Sequence, residues 1–187
     1  MKVGVLALQG AFREHREVLD ALDVETIEVR TPSQLGALDA LILPGGESTT
    51  MSQLLGSSGV RAPLAERLAD GFPVLGTCAG MILLDRDHLG LADLVVDRNA
   101  YGRQVASFEA DLVLEGEERP FRGVFIRAPR VRDVGPQVEV LAELDGEPVL
   151  LRDGRVLVAA FHPELTDDSR IHRQFLDLVT EATSVRA

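Results

Sequence analysis

Apolar runs alternate with segments of helical periodicity over the first half of the chain. Residues 3–8 are apolar almost throughout, as expected of a central parallel strand covered on both faces. Gln9-Gly10 interrupts that run. Residues 11–22 then set Phe12, Val18, Leu19 and Leu22 among charged positions, which predicts a helix with one buried stripe. His15 lies among the charges of this helix and is expected at the solvent. Further strands are predicted over 24–29 and 38–43, the first closed by Thr31-Pro32. Residues 48–55 and 62–69 read as helices, separated by Gly56-Ser57-Ser58-Gly59, and 72–75 read as another buried strand. Strand–helix–strand alternation of this kind specifies a parallel sheet with right-handed crossovers.

Beyond residue 84 the pattern becomes strand-rich. Strands are predicted over 94–96, 105–114, 121–126, 138–144, 149–152 and 156–161. Turns fall at Glu115-Gly116, Asp145-Gly146 and Asp153-Gly154, the last two being strong hairpin signals. Residues 169–179 close the chain as an amphipathic helix carrying Ile171, Phe175, Leu176 and Val179 on one face. With no repeat, low-complexity tract or linker, residues 1–187 are expected to form a single domain. The predicted fold is α/β: three layers, with an open, mixed and mostly parallel sheet between helices on both faces.

Composition narrows the function classes. The formal net charge of -11 offers nothing to a polyanion, so no nucleic-acid partner is expected. The apolar run at 3–8 is too short for a membrane span, and the expected location is cytoplasmic. The single cysteine can form no internal disulfide and no thiolate-rich zinc site, and it suits a reducing compartment. Aromatics make up only 4% of the chain and tryptophan is absent, which disfavours an aromatic-lined groove.

That cysteine sits where chemistry is expected. Gly76-Thr77-Cys78-Ala79-Gly80 joins the strand at 72–75 to a helix beginning near Met81, and strand, sharp turn and helix with the reactive residue at the apex is the nucleophile-elbow pattern. Flanking glycines tolerate the strained backbone and close approaches that such a turn requires. The helix N-terminus offers positive potential to a nucleophilic sulfur. A second loop, Pro44-Gly45-Gly46-Glu47-Ser48-Thr49-Thr50, follows the third predicted strand, where open α/β sheets place ligands. It is no phosphate loop, since no Gly-Lys-Ser or Gly-Lys-Thr follows, and its glycines suit backbone N–H groups aimed at an oxygen.

A cysteine nucleophile needs a base. Of the four histidines, His162 ends the last predicted strand and is followed by Pro163-Glu164. In an extended segment residues two apart share a face, so Glu164 would hold the imidazole as the third member of a triad. His162-Pro163-Glu164 also matches half of the zinc-deaminase signature, but the required Pro-Cys-x-x-Cys half is missing.

Together these blocks resemble a known family. The Cys elbow and Phe161-His162-Pro163-Glu164-Leu165-Thr166 are similar to class I glutamine amidotransferases. Leu8-Gln9-Gly10, the Gly45 to Thr50 loop, the block from Arg98 to Gln104 and Phe125-Ile126-Arg127-Ala128-Pro129 resemble, more narrowly, the glutaminase subunits of pyridoxal phosphate synthases. The likeness runs from about Val3 to the last helix. One departure is the short stretch from Leu84 to Gly90, where family members usually carry more residues.

The resemblance implies a flavodoxin-like fold and hydrolysis of L-glutamine by a triad of Cys78, His162 and Glu164. It places the substrate at Gly46, Glu47, Ser48, Arg98, Ile126 and Arg127, with either arginine able to grip the α-carboxylate through paired hydrogen bonds. Backbone N–H groups of Ala79 and of the Gly45-Gly46 loop, assigned to Gly46, would form the oxyanion hole. The implied partner is a (β/α)-barrel synthase subunit, in a large hetero-oligomer, that uses the released ammonia. Family glutaminases are poorly active until docked. Pyridoxal phosphate is then a product, and neither cofactor nor metal is expected on this chain. The competing expectations are another Cys-elbow enzyme, a peptidase or thiol stress protein, and a binding subunit that has lost its chemistry.

Overall fold

The apolar runs lie side by side as parallel strands. In the computed structural model, which describes residues 1–98 and 107–184, the first half of the chain forms β1 (Lys2–Leu6), α1 (Phe12–Asp20), β2 (Glu25–Val29), β3 (Ala40–Leu43), α2 (Ser48–Ser57), α3 (Arg61–Ala69), β4 (Val74–Thr77) and α4 (Ala79–Leu84). The second half forms β5 (Leu94–Asp97), β6 (Ser107–Leu112), β7 (Phe121–Ile126), β8 (Arg130–Val134), β9 (Glu139–Leu144), β10 (Glu147–Asp153), β11 (Val156–Ala159) and α5 (Arg170–Ser184). Among the described residues seven strands make the main sheet, in the order β2-β1-β3-β4-β11-β10-β9. The first five run parallel, and β10 and β9 are added antiparallel through the two hairpins signalled by Asp145-Gly146 and Asp153-Gly154. The expected mixed, mostly parallel α/β sheet is thus the one found.

The parallel part has the flavodoxin-like order, and its switch point lies between β1 and β3. From β1 the chain steps outward to β2; from β3 it steps the other way to β4. Right-handed crossovers in opposite directions put α1 and the α2–α3 pair on opposite faces. α5 joins α1 on its face, where His172 touches His15, and α4 packs against α2. Central strands buried from both sides must be apolar throughout. Val3, Val5, Leu41, Ile42, Leu75 and Leu157 are accordingly inaccessible. Each such large side chain contributes about 1.5–3 kcal/mol through burial. Among the described residues no helix is long and apolar enough to cross a membrane.

Three expectations need correction. α1 ends at Asp20, and His15 within it is buried rather than solvated. β8 was not anticipated: Arg130, Arg132 and Asp133 leave little apolar pattern, and the strand exists because its backbone pairs antiparallel with β5. The predicted strand over 105–114 is seen as β6 only from Ser107, its first two residues and the motif residues 99–104 lying outside the described residues. The short stretch after α4 is organised on buried Asp85. Its carboxylate accepts from the Asp87, His88 and Val96 N–H groups and pairs with the His88 ring at 2.7 Å.

The parallel strands deliver the candidate residues to one end of the sheet: Gln9-Gly10 after β1, Gly45-Gly46 after β3, Cys78 after β4 and His162 after β11. That end is closely packed. A Cβ on Gly80 would collide with the Leu43 carbonyl oxygen, a backbone atom that cannot swing aside. Gly80→Ala is therefore expected to cost about 1–3 kcal/mol of stability, the usual penalty of overpacking. Urea unfolding measures this, and an unchanged midpoint would contradict the packing described.

Candidate active site

Cys78 occupies the junction of β4 and α4 with φ 48 and ψ -103, a region non-glycine residues enter only under constraint. Its N–H donates to the Ala159 carbonyl at 2.8 Å, which ties the apex of the turn to β11. The glycines on either side let the chain double back, since a Cβ on Gly76 would lie 2.9 Å from the carbonyl carbon and oxygen of Gly80. The elbow foreseen from the sequence is therefore present. The sulfur is largely buried and lies 3.8 Å from the Ile126 carbonyl oxygen.

His162 and Glu164 meet, though not in the predicted way. Residues Pro163–Leu165 form a single 3-10 turn rather than an extended segment. The turn still brings Glu164 Oε1 to 2.7 Å from His162 Nδ1, and because an ionised carboxylate only accepts, Nδ1 is the donor. Nε2 is left for Cys78. Burial alone would lower the pKa of His162. Hydrogen bonds to Cys78 and Glu164 and their charges outweigh it and raise the value to about 10, so the ring is cationic through neutral pH. Burial acts against the charge of Glu164, yet His15 and His162 together hold it below the usual carboxylate range. Gly45 lies directly against this pair: a Cβ there would strike His162 Cε1 and come within 3.4 Å of Cys78 Cβ.

The loop after β3 is held by the loop after β1. Ala11 N–H donates to the Gly45 carbonyl at 3.0 Å, and the Gln9 side-chain oxygen accepts from Glu47 N–H at 2.9 Å. Gly10, at φ +95, leaves no room for a Cβ against the Gly45 carbonyl. Glu47 is exposed and its carboxylate caps α2, accepting from Thr49 N–H and from Thr50 N–H and Oγ1. Those bonds, the Thr50 hydroxyl's first, lower its pKa to about 2. Ser48 is buried as the first residue of α2.

The two arginines expected at the substrate lie on different segments. Arg98 Nη1 donates to Thr49 Oγ1 at 3.2 Å, beside the glycine loop. Arg127 follows Ile126, whose carbonyl faces Cys78, and its φ of 47 is a strained value for a non-glycine residue. Both side chains are exposed. Ala79 is the first residue of α4, so its N–H has no acceptor within the helix.

Behind Glu164 lie two buried histidines that reading the sequence missed. His15 Nδ1 is 2.9 Å from His172 Nε2, and His15 Nε2 is 3.1 Å from Thr77 Oγ1 and 3.4 Å from Glu164 Oε2. Burial lowers the pKa of both rings, that of His172 to about 3. A signal was available. His15 stands three residues after Phe12 and four before Leu19, so it falls on the apolar stripe of its own helix.

This geometry can be set beside known proteins. Residues 5–181 match the model of the SNO glutamine amidotransferase family. The chain belongs to that family. A pyridoxal 5'-phosphate synthase subunit PdxT of Carboxydothermus hydrogenoformans is 53% identical over 187 residues, covering 96% of this chain and 98% of the relative. One from Pelotomaculum thermopropionicum is 56% identical over 191 residues, 97% of each. A solved glutamine amidotransferase shares 51% identity with a TM-score of 0.89, over 95% of this chain and 98% of that one. The PurLQS structure from Thermotoga maritima, at 17% identity and TM-score 0.77 over 97% and 98%, shares the fold alone. The chain therefore shares its fold with these glutamine amidotransferases over nearly its whole length.

The buried histidines make a pH prediction. His172 has a folded pKa of about 3 against an ordinary value of 6.5, so below pH 6.5 the unfolded chain takes up a proton that the folded chain refuses. Stability is then lost as pH falls from about 6.5 toward 3, by at most about 1.4 kcal/mol per pH unit for one such group. His172→Leu should flatten this slope in urea unfolding at pH 7, 6 and 5. Parallel slopes for the variant and the native chain would contradict a neutral buried ring.

Proposed function

We propose that this chain, as one domain spanning residues 1–187, is the glutaminase subunit of a pyridoxal 5'-phosphate synthase. Cys78, His162 and Glu164 are its triad. The observation that carries the reading is the hydrogen-bonded Glu164–His162 pair beside a strained cysteine elbow, in a chain more than half identical to synthase subunits over nearly its full length.

The chemistry follows from the geometry. The Cys78 sulfur attacks the side-chain amide carbon of L-glutamine, and the carbonyl oxygen takes the negative charge. That oxygen is met by the N–H of Ala79 and the N–H of Gly46, which replace water with fixed dipoles where charge develops. As the C–N bond breaks, His162 gives its Nε2 proton to the leaving nitrogen and ammonia departs, leaving a γ-glutamyl thioester. The neutral imidazole then takes a proton from water as the oxygen attacks the thioester, and glutamate and free Cys78 result. Glu164 keeps the ring in the tautomer both steps need. Arg98 and Arg127 supply guanidinium groups for the substrate's α-carboxylate. Ammonia passes to a (β/α)-barrel synthase subunit in a hetero-oligomer.

One peptide of the glycine loop offers that partner a point of control. The Gly45 carbonyl is held by Ala11 N–H, which directs the N–H of the same peptide, that of Gly46, the opposite way. Rotating this one peptide on docking would switch an oxyanion donor without moving the triad. A lost donor of this kind costs on the order of a hundredfold to a thousandfold in rate.

The test is glutamate release from L-glutamine by the chain alone and with its synthase partner, for the native sequence and Cys78→Ala. Release that rises on docking and disappears in the variant is expected. Release unaffected by Cys78→Ala would overturn the assignment, and hydrolysis of peptides but not glutamine would favour a different Cys-elbow enzyme.

A further inference from the structure

The reaction set out above uses one oxygen of Glu164. The other, Oε2, is buried and has no hydrogen-bond partner within ordinary reach among the described residues. A carboxylate oxygen left unpaired in the interior is costly enough that something must face it. What faces it is His15 Nε2, at 3.4 Å.

The proton on His15 can be placed. Between His15 Nδ1 and His172 Nε2, 2.9 Å apart, there is one hydrogen, and both rings are neutral. If His15 Nδ1 carried it, Nε2 would turn a lone pair toward the Glu164 carboxylate, and His172 would carry its own proton on Nδ1. That atom is buried with no partner among the described residues, so an N–H would be stranded there. If His172 Nε2 carries it instead, the stranded atom is only a lone pair. His15 Nε2 then bears an N–H within hydrogen-bond distance of Thr77 Oγ1, at 3.1 Å, and with Glu164 Oε2 3.4 Å away. The second arrangement strands no buried N–H and turns no lone pair toward the carboxylate.

We propose that His15 is a positioning residue for Glu164, presenting its Nε2–H to the oxygen that His162 does not use, and that His172 sets the tautomer of His15 that makes this contact favourable. Glu164 is then held from both sides, by His162 on Oε1 and by His15 on Oε2. Its plane and its charge are fixed before substrate arrives. The ionisable groups facing His15 are Glu164 and His162 from the turn after β11, His172 from α5 and Glu14 on its own helix, with neutral Thr77 from β4. Of these, Glu164 offers a buried carboxylate oxygen that lacks a hydrogen-bond donor among the described residues.

The kinetic consequence rests on the glutaminase reading; the titration consequence does not. Three measurements separate them. Nitrogen-15 NMR of the imidazoles in the native chain should show His15 protonated at Nε2 and unprotonated at Nδ1. The reverse tautomer would overturn the proposal without any variant. Carbon-13 NMR of the glutamate carboxylates should show Glu164 ionised to lower pH in the native chain than in His15→Leu. His15→Gln, whose side-chain amide can present an N–H near the same place, should restore much of the native behaviour. Identical titration in the Leu variant would refute the role. With the synthase partner present, His15→Leu should lower kcat for glutamine by about tenfold to a hundredfold with little change in KM, since His15 touches no substrate. The acid limb of its pH profile should move to higher pH. A loss in KM alone, or a uniform loss with an unmoved acid limb and no rescue by Gln, would mean a packing role only. If even the native chain releases no glutamate when docked, the glutaminase reading fails while the two NMR measurements still decide the role of His15. If His15→Leu does not fold, the native tautomer and His15→Gln suffice.

Discussion

A carboxylate removed from water organises the functional end of this molecule. Glu164 is 5% exposed, and an uncompensated charge at such depth costs several kcal/mol. It is met by His162 two residues before it and by His15 from α1, which in turn contacts His172 from α5, so its setting exists only once the chain has folded completely. The first helix, the last helix and the last parallel strand are thereby bound to one another through polar contacts as well as apolar ones. Polar networks of this kind are stabilising only when every member is satisfied, which makes the position of each proton part of the fold.

The sheet supplies the remaining order. Parallel strands point the same way, so the segments that follow β1, β3, β4 and β11 must gather at one end. There the packing is tight enough to require glycine at Gly10, against the Gly45 carbonyl, at Gly45, against the His162 ring, and at Gly80, against the Leu43 carbonyl. Two of the four described non-glycine residues with positive φ lie in this region, the others being turn residues Asp23 and Asp145. Cys78 and Arg127 both hold positive φ, and the carbonyl just before Arg127 faces the Cys78 sulfur. Because α1 begins on the Gly45 carbonyl and carries His15 against Glu164, one helix touches both the glycine loop and the Glu164 carboxylate.

Much of this was legible from local pattern. The continuous apolar runs declared the buried parallel strands, and Gly76 to Gly80 declared the elbow, because both signals lie within a few residues of chain. The Glu164–His162 contact was legible as a pairing but through the wrong local geometry, a 3-10 turn standing where extended backbone was expected. His15 was misplaced because its sequence neighbours are charged, while its helical neighbours Phe12 and Leu19 are apolar; the period, not the adjacency, carried the information. Its pairing with His172 spans 157 positions and no local pattern could reveal it. β8 escaped for a related reason, since backbone pairing with β5 makes it a strand in spite of its charged side chains.

The most direct test of the account is whether a γ-glutamyl thioester forms on Cys78. Hydroxylamine added to the docked, turning-over enzyme would compete with water for that intermediate. The account predicts that γ-glutamyl hydroxamate appears at the expense of glutamate, with ammonia release undiminished, and that Cys78→Ala yields neither product. Ammonia release with no hydroxamate at any hydroxylamine concentration, or hydroxamate formed equally well by Cys78→Ala, would contradict covalent catalysis at this elbow.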